Sequence, residues 1–334
     1  MHDPVCCRSW CKRLLSIVTL IIFSAPPVSV AEFSGDESIE EVVVVGKRPG
    51  PPLWKVENGE HTLFIFGSLE PLPKALEWDS ERVDWIISQS EEFISAPSLS
   101  ASTSNPFRAV GVLREIRRLE KLPSGQTLQD VLPEDLYQAF LEAKNRYAPK
   151  NRRIMTLRPM FAARELSSAA FESLGFEGDS PIPKHMRRIA RKNDLTITDP
   201  RSELPVDEAL TLLREISRST DQACLQTVLQ SIRSDLLLSV ERTRAWIDGS
   251  VEMLSKQTYP NVKRVCADAR FNGPRASKAR REVRELWLTH AQRALEHNAS
   301  TISILPMEDI FAADGLLQML IQRGYVLVGA TAER

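Results

Sequence analysis

The sequence predicts an α/β fold: a central mixed, mainly parallel β-sheet formed by the N- and C-terminal segments, with a long helical region between them. Three observations carry this. Two β-rich runs, Leu53–Glu57 and Thr62–Phe66, flank the hairpin dipeptide Asn58-Gly59. Strand character returns near the other end, at Thr301–Leu305 and Tyr325–Val328. Between about residues 106 and 297 helical periodicity dominates.

The elements follow in order. Phe64-Ile65-Phe66 is apolar on consecutive positions, as in a strand buried on both faces. Ser80 caps a helix to Ser90 that carries Val83, Ile86 and Ile87 on one face, and Phe93-Ile94 reads as a short buried strand. Helices are predicted over Pro106–Leu119, Pro133–Arg146, Pro159–Leu174, Pro183–Lys192, Pro205–Ile216, Asp221–Trp246 and Ala276–His297, several opening on a proline suited to the first helical position. Thr196-Ile197-Thr198 is a strand candidate among them. Asp314–Arg323 is a helix that Gly324 terminates.

Residues 1–31 have the layout of a cleavable signal peptide: basic Arg8, Lys12 and Arg13, an apolar run Leu14–Phe23, and small Ser29 and Ala31 at the cleavage positions. That run is too short to span a bilayer, which needs about 20 residues. The expected mature protein starts at Glu32, is periplasmic or secreted, and has no transmembrane segment. Residues 32–51 read as a linker with a Val-rich strand, Val42–Val45, ended by a Gly/Pro cluster. One domain is expected over residues 52–330. Without Arg8, Lys12, Arg13 and Asp3, 40 basic residues face 43 acidic ones, a balance that calls for neither nucleic acid nor an anionic membrane.

Three of the five cysteines lie in the signal segment. Cys224 and Cys266 remain in an exported chain and are expected to form a disulfide, the alternative being two separate buried thiols. The four histidines beyond residue 31, His61, His185, His290 and His297, form no HExxH pattern. The sequence contains no GxSxG elbow, no GxGxxG and no complete phosphate loop, and no cysteine stands beside a histidine.

Three segments taken together resemble the TraB/GumN family, related to the Tiki metalloproteases. The first is Pro52–Val56 with Leu63–Ser68 and Leu72-Pro73-Lys74; the second is Leu157-Arg158-Pro159 and then Cys224–Leu236 leading to Ala245–Gly249; the third is Asp314–Leu317 through Arg323-Gly324-Tyr325. The resemblance implies a divalent metal held by the histidines of two GxxH motifs, with carboxylates assisting, and peptide-bond hydrolysis. This chain departs from that pattern. The first motif reads Gly67-Ser68-Leu69-Glu70, the acid after the next strand falls on Ala96, and the second motif falls on Pro306-Met307-Glu308-Asp309. Asp199 is the acid that matches a family carboxylate.

Glu70, Asp199 and Asp309 are therefore candidate remnants of a site, and Glu70 with Asp309 could hold a hard ion such as Mn²⁺ or Ca²⁺ through oxygen. The plainer reading leaves them as solvated loop acids with no cofactor. The functional expectation is an exported, non-catalytic binding or scaffold domain for a protein or peptide ligand. The alternative is a metal-dependent hydrolase with an oxygen-rich site.

Overall fold

A computed structural model describes residues 50–331 apart from 103–105, 179, 258–265 and 267–273. The expected signal peptide and the Val42–Val45 strand lie outside the described residues.

The described strands are β1 Leu53–Asn58, β2 His61–Ser68, β3 Leu72–Pro73, β4 Glu92–Ile94, β5 Ser98–Ser102, β6 Phe176–Glu177, β7 Thr196–Thr198, β8 Arg201–Pro205, β9 Ser300–Pro306 and β10 Val326–Thr331. The described helices are α1 Glu81–Ser88, α2 Pro106–Leu119, α3 Leu128–Val131, α4 Glu134–Tyr147, α5 Pro159–Ser173, α6 Ile182–Lys192 and α7 Val206–Glu215. They continue with α8 Arg218–Ile247, α9 Val251–Ser255, α10 Pro274–His297, α11 Met307–Phe311 and α12 Leu316–Gln322.

Among the described residues, six strands form the central sheet in the order β10-β1-β2-β9-β4-β7. The Asn58-Gly59 turn folds as predicted, with Gly59 at φ +61° and Asn58 paired to His61. β2 then runs parallel to β9, from Thr62 opposite Ser300 to Ser68 opposite Pro306. β4 lies parallel to β9 on its other side and to β7 beyond. β10 closes the far edge antiparallel to β1. The sheet is thus mixed, mainly parallel and assembled from both ends of the chain, as the sequence indicates.

β2 and β9 are covered on both faces, which explains their unbroken apolar runs: Ile65, Phe66, Ile302 and Leu305 are all fully buried. This core includes parts of α1, α6 and α10–α12. A second core gathers α3, α4, α5 and the first half of α8. At 30 residues α8 is about 45 Å long, and it joins the two cores. Its start, capped by Ser217, packs Leu225 and Val228 among the helices, and its end places Trp246 beneath the sheet. There the Trp246 indole N–H donates to the Gly67 carbonyl at 2.7 Å, fixing the helix to the end of β2.

Gly315, the N-cap of α12, shows why the closing segment needs glycine. A Cβ there would sit 2.4 Å from the Asp309 carbonyl oxygen and 2.8 Å from that of Ala312. Both are backbone atoms, so relief requires the chain to move. Gly315→Ala is expected to cost about 1–3 kcal/mol by overpacking, read from denaturant melts. A change within error would contradict this close approach.

Candidate functional site

Parallel strands direct their C-terminal ends to the same side, and open α/β sheets place their sites there. β2, β4 and β9 end at Ser68, Ile94 and Pro306, and beyond them opens a cavity of about 890 Å³. Leu69, Glu70, Ser95 and Glu308 come from the strand-end loops and from the start of α11. Opposite them stands α5 with Phe161, Arg164 and Phe171. α8 supplies Asp235, Ser239 and Arg242, and Cys266 touches the same space.

Gly67 sets the packing at the end of β2. A Cβ on it would come within 2.6 Å of the Trp54 ring and 2.7 Å of the Met307 methyl, so the first residue of α11 rests directly on the strand end.

The three acids expected from sequence part company. Glu70 lines the cavity as an exposed residue. Asp199 also lines it, but within a charge-paired cluster: Arg187 donates to both of its oxygens, at 3.0 Å to Oδ2, and Ser95 donates to Oδ1 at 2.6 Å. The Arg187 hydrogen bond holds the Asp199 carboxyl below the ordinary carboxylate range, with Ser95 assisting against a smaller opposing effect of burial. Asp309 does not line the cavity. Its Oδ1 accepts from Arg284 of α10 at 2.5 Å, and the same guanidinium donates to the Asp314 carbonyl.

The acid of that loop which faces the cavity is Glu308. Of the two acids expected to hold an ion together, Glu70 lines the cavity and Asp309 does not. Met307 opens a helical turn and is buried, and successive helical side chains diverge by about 100°, so Glu308 and Asp309 cannot share a direction.

Cys224 and Cys266 are joined as a disulfide with Cα atoms 5.2 Å apart, inside the span that such a bridge requires. Cys224 is buried in the helical core and Cys266 packs against it.

No sequence motif marks Asp235, Ser239 and Arg242. They stand at i, i+4 and i+7 on α8, one helical stripe, and all three are buried while lining the cavity. A polar stripe with that spacing inside a helix otherwise flanked by Ile232, Leu236 and Trp246 was the available signal. Arg187 was missed because its role depends on Ser95 and Asp199, which meet it only in three dimensions.

The donor set does not fit the metal that the family resemblance implies. The cavity's potential ligands are carboxylates interleaved with Arg164, Arg187, Arg201 and Arg242, and none of the described lining residues is a histidine. Zinc-type ions call for imidazole or thiolate, and each arginine competes with a cation for the same oxygens. Among the described residues no three His, Cys, Asp or Glu side chains gather as a metal cluster. What the arrangement offers is an apolar, aromatic-walled cavity with fixed charges of both signs.

Also among the described residues, no helix is long and apolar enough to cross a membrane. Comparison with curated proteins and with solved structures gives no match. A family model described as TraB/PrgY/gumN matches residues 52–328, from the strand that opens the sheet to the strand that closes it. The chain belongs to the TraB/PrgY/gumN family.

Proposed function

We propose that this family member is an exported binding protein that holds a ligand in the cleft without cleaving it. The observation that carries the reading is the cavity itself: about 890 Å³ at the C-terminal ends of parallel strands, lined by aromatics, acids and arginines. Glu70 stands where the first GxxH histidine would fall, and the acid matched to a family carboxylate, Asp199, is neutralised by Arg187. Export is supported by the Arg8–Ala31 segment and by the disulfide, a bond that persists in oxidising compartments. Sequencing of the secreted or periplasmic protein is expected to find Glu32 first; residues 1–31 still attached would contradict export by cleavage.

The test of non-catalysis is elemental analysis of the purified mature protein beside a peptidase assay with added Mn²⁺ or Co²⁺. Substoichiometric metal and no metal-stimulated cleavage are expected. One retained metal per chain with cleavage that EDTA abolishes would establish the hydrolase with an oxygen-rich site instead.

A further inference from the structure

The cleft holds a buried acid that the described contacts leave partly unsatisfied. Asp235 is 4 % exposed and lines the cavity, and its Oδ2 is buried with no hydrogen-bond partner among the described residues. A buried acceptor that finds no partner is costly, and such atoms are few in native proteins. The other contacts of this carboxyl are local: a hydrogen bond from Ser231 one helical turn earlier, and the charge of Arg242. Burial outweighs both and pushes the carboxyl above its ordinary value.

The surroundings narrow what could satisfy it. The cavity that Asp235 lines is walled in part by apolar and aromatic side chains, among them Phe161 and Phe171 of α5, a helix that packs against α8. Of the four arginines on the walls, Arg187 pairs with Asp199 and Arg164 with Glu120, while the charge of Arg201 acts on Asp199 and that of Arg242 on Asp235 itself. A ligand anion would meet Asp235 as a like charge, whereas a nitrogen cation would supply the missing donor. Aromatic walls favour such a cation further, through their ring faces.

We infer that Asp235 is the recognition residue for an organic cation, a primary ammonium group carried on an apolar body that fills the rest of the cleft. This rests on the reading of the cleft as a ligand-binding site. It makes the buried carboxylate a functional feature held in place by the rigid helix α8 and not an accident of packing.

The test uses three probes that differ only in their terminal group: 4-phenylbutylamine, 4-phenylbutanol and 4-phenylbutyrate. Each is titrated calorimetrically into the oxidised protein. The amine is expected to bind at least about tenfold more tightly than the alcohol, the value of one charge-assisted hydrogen bond, and the carboxylate most weakly. Asp235→Asn, which keeps the side-chain shape, is expected to remove the preference for the amine. Asp135→Asn, a charge change on the exposed face of α4 outside the cavity lining, is expected to move amine affinity by no more than about twofold. A melt of each variant checks folding, and the comparison of probes on the unmodified protein holds whatever the variants do. Equal affinity for amine and alcohol would overturn the role of Asp235 while leaving the cleft a binding site. Binding of none of the three would contradict the binding reading, and this inference with it.

Discussion

Arg158→Ala is expected to lower stability by about 3–5 kcal/mol, because it strands a buried carboxylate. Arg158 precedes α5, and its Nε donates to Asp221 Oδ2 at 2.7 Å in the first turn of α8. Its Nη1 and Nη2 donate to the carbonyls of Leu213 and Ile216, at 3.0 and 3.2 Å, where α7 ends. One guanidinium thus ties three segments at the entrance of the helical core. Asp221 is 4 % exposed, and its Oδ1 has no hydrogen-bond partner among the described residues.

Burial is the largest influence on Asp221 and raises its carboxyl above the ordinary value, against the opposing pull of Arg158. The sign of the pH dependence follows. A raised folded-state value means that protonated Asp221 suits the fold, and that its charged form becomes a burden as pH rises through that value. Removing Arg158 enlarges the burden. The stability gap between variant and parent should therefore be widest near neutral pH and narrow as pH falls into the carboxylate range. Urea melts at neutral and mildly acidic pH measure it. A gap below about 1 kcal/mol at neutral pH would mean that the pair contributes no more than an exposed one.

Loss of the Cys224–Cys266 bridge is expected to cost a similar amount. The sequence separation is 42, and the loop-entropy model values closure of such a loop at about 4 kcal/mol. The bridge ties α8 to Cys266, a residue that also lines the cleft, so its loss should weaken the helical core and disturb one wall of the cavity. Melting with and without reductant, beside Cys224→Ala/Cys266→Ala, provides the check. The reduced parent and the double variant should melt together, well below the oxidised protein. Two thiols reactive in the denatured, unreduced chain would show that the bridge does not form.

Much of the scaffold was legible because its signals are local. Asn58-Gly59 fixes one hairpin, Phe64–Phe66 and Thr301–Leu305 read as doubly covered strands, and α2 begins and ends where Pro106 and Leu119 indicate. The pairing β5–β8 was not legible. Ser98-Leu99-Ser100-Ala101-Ser102 has little β propensity, and its partner strand starts at Arg201, across α2 to α6 and β7. α8 starts at Arg218, ahead of the expected Asp221, because Ser217 accepts from the Thr220 N–H and so caps it earlier.

The site was legible in part for a related reason. The position of the first GxxH motif pointed to Glu70, which lines the cleft, but counting residues past β9 could not fix the direction of a side chain in a helical turn. Asp309 turns to Arg284 and Glu308 takes its place. The buried acid of α8, Asp235, belongs to no motif; its part follows only from what surrounds it.

The central claim, that this cleft works without a metal, is tested most directly by thermal melts of the oxidised protein in EDTA, Mn²⁺ and Ca²⁺. A bound ion stabilises a fold by mass action, so a site of any useful affinity would be visible. Superimposed melts are expected in all three, with almost no shift for Glu70→Ala. A metal-dependent rise that Asp309→Ala abolishes would contradict it, since it would require Asp309 to leave Arg284 and join Glu70 at an oxygen-rich metal site.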